Sequence, residues 1–390
     1  MSWRSFGWLL VALATSACQR APRTGLDFPE EQFPERLSEW RLLEREGGRL
    51  VVNANVVPYD LSSALFSDYA HKFRTVLVPP GTTIRYGEDA FDFPVGTVIS
   101  KTFYYPRAAA GPTAGSIPVR KVVEQPQGES LDLEEVRLLE TRLLIHTAAG
   151  WTALPYVWNE AQTEATLALA GETLSLELVD GEQREPFTYL VPDTNQCAGC
   201  HALEHHSKAI EPIGIRARHL NKSYRYADGP DNQLVRWQKL ALLSAAPSPE
   251  GAPRNARWDD PGSADLEMRA RAYLDVNCGH CHSPSGPANT SGLFLQAQET
   301  DRVKLGVCKI PVASGRGSGD ASFDIVPGAP DQSILLHRMI STEPDVAMPE
   351  LGRSLVHREG VALIRDWIAS LSGECSAPEG LNLFGRKMSD

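Results

Sequence analysis

The chain carries two cysteine pairs at one spacing, each followed directly by histidine: Cys197, Cys200 and His201 in "NQCAGCH", and Cys278, Cys281 and His282 in "YLDVNCGHCHSPSG". Thiols two residues apart can hold zinc, form a redox disulfide, or be joined to haem through thioethers. The adjacent histidine selects among these. In c-type attachment both thiols add to the vinyl groups of the porphyrin, and the next residue reaches the iron from the same side. Random sequence of this Cys and His content would hold roughly 0.003 such matches; two are present, so chance does not explain them. For zinc, the pairs stand far apart and each brings its own histidine. For a thioredoxin-like disulfide, the βαβ pattern that usually surrounds the pair is missing. The expectation is two covalently bound haem c groups, with His201 and His282 as iron ligands.

The second motif can be extended. A helix running into Cys278, the histidine His282, a methionine in a later loop and a final amphipathic helix follow one another in residues 264 to 373, which resemble the class I cytochrome c family. On that resemblance Met348, in "VAMPELG", matches the methionine-before-proline loop and is the second iron ligand. A thioether opposite imidazole raises the reduction potential and leaves no open position. Met339 is the rival, but it sits in a predicted helix beside Ile334 and Leu335, where packing accounts for it. The first motif has no methionine between His201 and Met268, so a histidine is the natural partner there. His205 and His206 follow His201 too closely to reach the far face of a ring. His219, in "PIGIRARHLN", is far enough away to fold over and is the named candidate for the sixth ligand of the first haem, with His71 and His146 also open. An iron left with one protein ligand could bind peroxide or another small molecule.

These motifs need elements to position them. Residues 1–18, "MSWRSFGWLLVALATSAC", hold one basic residue and an apolar run too short to span a bilayer, which reads as an export signal. "TSAC" resembles a bacterial lipobox, so Cys18 is the expected lipidation site; Gln19 after it favours the outer membrane, facing the periplasm. A plain signal peptide cleaved near Ala17 is the alternative. Residues 19–47 read as a tether with a short helix at its end. Residues 48–192 hold strand-like runs such as "TVISKTFYY", "VRLLETRLLIHT" and "WTALPYVW", and are expected to form an all-β, sandwich-like domain. The first haem-binding segment spans 193–250, with its motif on a loop after "FTYLV". Residues 251–263 form a Pro- and Gly-bearing linker. The cytochrome c-like, all-α domain occupies 264–390: Ser263 is the expected cap of the helix entering Cys278, and "DQSILLHRMI" and "REGVALIRDWIASL" supply two more helices. The fold class expected is therefore α+β and multidomain.

A net charge of -11 without any Lys/Arg-rich run argues against nucleic acid as a partner. Of seven cysteines, Cys18 is assigned to lipid and four to the motifs, leaving Cys308 and Cys375. Those two can form one disulfide, which an oxidising compartment would favour; two buried free thiols are the alternative. "GRGSGD" (315–320) lacks the lysine and context of a phosphate loop and reads as a surface loop.

Further stretches, "YDLSSALFSDYAHKFR", "FDFPVGTVISKTFYYP", "GWTALPYVWNEAQTEA" and "PIGIRARHLN", together with the two motifs, resemble a family of bacterial dihaem c-type cytochrome lipoproteins, commonly encoded beside parallel β-helix proteins. The likeness spans about residues 58 to 284. It implies two covalent haems, a lipid anchor in the membrane and a periplasm-facing location, and names no substrate. The expected function is electron transfer between periplasmic or membrane-bound redox proteins. The alternative is a peroxidase-like dihaem oxidoreductase with catalysis at an open first haem. A partner- or glycan-binding role for the β-rich domain is a third possibility, which no motif supports.

Overall fold

The computed structural model describes residues 33–109, 115–202, 204, 207, 209–313 and 315–376. Cys18 with the expected export signal, and His205 and His206, lie outside them. Two short strands, β1 (Leu43–Glu46) and β2 (Arg49–Val52), pair antiparallel and are extended by β8 (Ser130–Asp132). A six-stranded antiparallel sheet lies beside them. Its order is β11 (Ala165–Leu167), β10 (Gly150–Trp158), β9 (Val136–Thr147), β6 (Val98–Pro106), β4 (His71–Leu77) and β3 (Val56–Tyr59). A third sheet joins β13 (Gln183–Val191), β12 (Glu172–Asp180) and β7 (Ile117–Arg120). Two small pairs complete the set: β14 (Ser223–Tyr226) with β15 (Gly229–Asn232), and β5 (Ile84–Arg85) with β16 (Leu243–Ser244).

The long strands carry buried side chains on both faces because both faces of the large sheet are covered. One face holds Val98, Tyr104, Leu143, Leu154 and Tyr156 against Trp40 and Leu42. On the other face Val76, Ile99, Leu144 and Ala153 form one core with the segment after the strands, and Phe103, Tyr105 and Val157 form another with β12 and β13.

Six α-helices follow among the described residues: α1 (Thr194–His201), α2 (Ala217–Leu220), α3 (Gln233–Lys239), α4 (Leu266–Asn277), α5 (Ile334–Ile340) and α6 (Arg358–Ser370). With strands filling the N-terminal part and the longest helices the C-terminal part, the fold is α+β. The apolar stripe of α6, Leu363, Ile364, Trp367 and Ile368, buries against Ala270, Tyr273 and Leu274 of α4 and Leu336 of α5. No helix among the described residues is long and apolar enough to cross a membrane. Cys308 and Cys375 are joined by a disulfide, Cα to Cα 5.1 Å, closing a loop of 67 positions.

Four sequence expectations are corrected here. The first motif lies on helix α1, not on a loop: Asp193 accepts from Gln196 N at 2.7 Å, and the Gln196 side chain accepts from Asp193 N, a reciprocal capping box that starts the helix. Ser263 does not cap α4. Its hydroxyl bonds back to Arg257 O and Asp260 O, and Asp265 caps instead, accepting from Met268 N at 2.8 Å. Residues 33–47, counted with the tether for their charge, belong to the β-rich body, since Leu37, Trp40 and Leu42 are buried in its core. The first-motif segment and the linker are not set apart either. Ile215, Leu220, Trp237, Leu243 and Ala252 share one core with the sheet, and Trp258 packs on Tyr273 of α4.

Candidate functional site

Both C-x-x-C-H motifs open onto adjoining cavities, and the motifs touch. Cys281 Sγ lies 4.0 Å from Gly199 O, which is inside the first motif. A Cβ on Gly199 would come within 3.0 Å of Leu351 in the Met348 loop, and one on Gly279 would strike Asp275 O at 2.8 Å. Glycine at these positions allows the close approach. The first cavity is lined by Cys197, Cys200 and His201, and the second by Cys281 and His282; Cys200, Cys278, His280 and Met348 line both. With their open mouths included they enclose about 1670 and 1600 Å³.

The histidine that closes each motif is held in the same way. His201 Nδ1 bonds Glu211 O at 2.7 Å, which leaves Nε2 as the free ring nitrogen. The His282 ring bonds the Leu293 backbone, with Ser291 Oγ 3.4 Å from its Nδ1. Burial, reinforced by the nearby Lys101 charge, pushes His201 down to about 3, and burial pushes His282 down to about 4. Both rings are therefore neutral, the state that offers a lone pair to a metal.

The four motif cysteines are free of disulfides. Burial raises all four thiols, Cys278 and Cys281 to about 12. Reactive redox cysteines need the opposite shift. Among the described residues, no group of three or more His, Cys, Asp or Glu is placed to hold a metal ion. Aliphatic side chains line much of each wall, Leu61, Ile99, Leu144 and Ile215 in the first cavity and Leu293, Leu295, Ile334 and Leu335 in the second, while Lys72, Arg74, Lys101 and Arg142 also face the first. Paired neutral thiols, a free imidazole nitrogen and aliphatic side chains fit a covalently attached haem in each cavity.

Met348 is held in place from both sides. Its N–H donates to Arg338 O at 2.9 Å, while Arg353 donates to Met348 O at 2.9 and 3.1 Å and to Ser341 O at 2.8 Å. Met339 also lines both cavities and is buried in the helical core.

The structure does not bring His219 to the first cavity. It is buried with Nε2 3.4 Å from Asp275 Oδ2, in a cluster where Arg218 also meets Asp275 through two 3.0 Å bonds. His71 instead bonds Val122 O, and His146 stacks on Trp151. Among the described residues, the histidines that line the first cavity are His201, His280 and His357. His280, inside the second motif, went unassigned in the sequence because a variable position between the two cysteines carries no fixed role. Its Nδ1 is buried without a hydrogen-bond partner among the described residues.

The sheet contributes Tyr59, Lys72, Arg74, Ile99, Lys101, Phe103, Arg142, Leu144 and Ala153 to the first cavity, but neither histidine nor methionine. A polar cleft lined by Asp60, Tyr69, His71, Gln125, Lys222 and Arg257 adjoins it and shares Leu61, Phe66, Lys72 and His357. Compared with protein families, curated proteins and solved structures, the chain matches none.

Proposed function

We propose that this chain is a dihaem c-type cytochrome that passes electrons between redox partners on the exported side of a membrane. The observation that carries the reading is the contact between the two C-x-x-C-H motifs, with Cys200, Cys278, His280 and Met348 lining both cavities. Cys197, Cys200 and His201 would hold the first haem; Cys278, Cys281, His282 and Met348 would hold the second. Haem supplies one-electron chemistry through its iron. The chain's own contribution is to keep both imidazoles neutral and oriented, to present the Met348 thioether, which favours the reduced state, and to exclude water with aliphatic walls. On this reading residues 264–390 are the cytochrome c-like unit and 48–192 the sandwich-like one. Cys18 is the lipid anchor, and the family is that of the dihaem cytochrome lipoproteins. The acidic balance of the chain suits a basic docking partner.

A second reading, catalysis at an open first haem, draws on one observation: the sheet offers that cavity no histidine or methionine, while a polar cleft leads into it. Visible spectra of the reduced protein before and after carbon monoxide separate the two. Two fully ligated haems with an unchanged spectrum support the carrier. A carbon monoxide complex at one haem of the wild type, lost in Cys197→Ala/Cys200→Ala but kept in Cys278→Ala/Cys281→Ala, supports the oxidoreductase.

A further inference from the structure

Three cations stand in one cross-strand row facing the first cavity. Arg74 on β4 is directly opposite Lys101 on β6, and Lys101 is directly opposite Arg142 on β9. Lys72 lies one inward-facing step along β4, opposite Phe103, and all four cations line the cavity. Like charges directly opposite one another destabilise a sheet, so a row of this kind needs a compensating anion.

The chain supplies only part of it. Arg74 pairs with Asp60 at 3.0 Å, and Lys222 shares that carboxylate at 2.9 Å. Arg142 pairs with the fully buried Glu140, which also accepts from Tyr189 OH at 2.7 Å. Lys72 Nζ donates to a backbone carbonyl, Ala70 O, and meets no carboxylate among the described residues. Lys101 has neither a hydrogen bond nor an ion pair there, and its Nζ lies 5.2 Å from the centre of the Phe103 ring. Two lysines of the cavity wall are left without a carboxylate partner among the described residues.

We infer that Lys101 and Lys72, backed by Arg74 and Arg142, form a carboxylate-binding site for the two propionates of the haem attached at Cys197 and Cys200. The inference rests on the reading that the first motif holds haem. The count matches: two lysines for two carboxylates. So does the location, because Arg142 and Lys101 act electrostatically on both thiols of that motif. Burial and the neighbouring guanidiniums push Lys101 down to about 7, and an anion beside it would restore its full charge.

The test uses the full holoprotein with Lys101→Met, Lys101→Arg and Met348→Ala, reading haem content and a potentiometric titration; the Met348→Ala shift marks the second haem's wave. The inference predicts that Lys101→Met keeps two haems per chain and lowers the reduction equilibrium of the other wave about tenfold, equivalent to about 59 mV for one electron. Lys101→Arg should restore it. Lys72→Met, read in the same way, serves if Lys101→Met fails to accumulate. Two haems with both waves unmoved would overturn the inference. So would a saturable spectral response of the wild type to inorganic phosphate that Lys101→Met abolishes, which would mark a site for free anions. A wild-type chain with fewer than two haems would overturn the cofactor reading itself.

Discussion

His357 sits in a box of aromatic rings, stacked on Phe66 at 4.2 Å and edge-on to Tyr69 and Trp258, with Nδ1 3.0 Å from Tyr273 OH. Burial pushes its pKa down to about 3. The unfolded chain, with histidine near its ordinary value, takes up the proton first, so the stability from the neutral ring is complete above about pH 6.5 and is lost as pH falls toward 3. Between pH 6.5 and 4 this residue alone should remove about 3 kcal/mol. Urea unfolding at several pH values should show a shallower acid loss for His357→Gln than for the wild type. Arg218 provides a second test at this scale. Removing it leaves Asp275 buried with weaker partners, so Arg218→Ala should cost about 3 kcal/mol in the same assay. The two motifs stand out in the sequence by residue type and spacing alone. The cations of the first cavity do not. Lys72 and Arg74 alternate with Phe73 and Thr75 as the solvent face of an exposed strand would, and only the covering of that face by α1 and the segment after it makes them interior.

At the scale of elements, the Met348 loop is latched to the β-rich body. Asp68 accepts from Ser354 N and Leu355 N, both at 2.7 Å, and Tyr69 OH donates to Glu359 at the start of α6. Asp68→Ala would orphan two backbone donors, and the expected loss is about 2–3 kcal/mol. If Met348 ligates haem iron as proposed, Asp68→Ala should also weaken the near-infrared methionine–iron charge-transfer band, whereas a substitution at the exposed Glu185, which meets Arg358 on the surface, should leave the band intact. Helices α4, α5 and α6 were readable from their apolar spacing. The start of α1 was readable in principle: Asp193 and Gln196 have the capping-box spacing, but the run between them and His201 has no apolar stripe to draw attention to it.

The molecule as a whole is less divided than its composition suggests. The Pro- and Gly-rich stretch 245–263 resembles a linker in sequence, yet it threads between the two parts and is pinned by Asn255 to Asp275 and by Trp258 N to Ser63 Oγ. Proline and glycine mark where regular structure stops, not where packing stops. The Cys308–Cys375 disulfide fastens the end of the helical part, and closing a loop of 67 positions should contribute about 4 kcal/mol. Cys308→Ala/Cys375→Ala should unfold at correspondingly lower denaturant. The central claim concerns the two motifs together, and haem quantified per chain as the pyridine complex, after acid-acetone extraction of anything not covalently bound, tests it most directly. The account predicts two covalent haems per chain, falling to one in Cys197→Ala/Cys200→Ala and to one in Cys278→Ala/Cys281→Ala. A folded, exported chain carrying no covalent haem would contradict it.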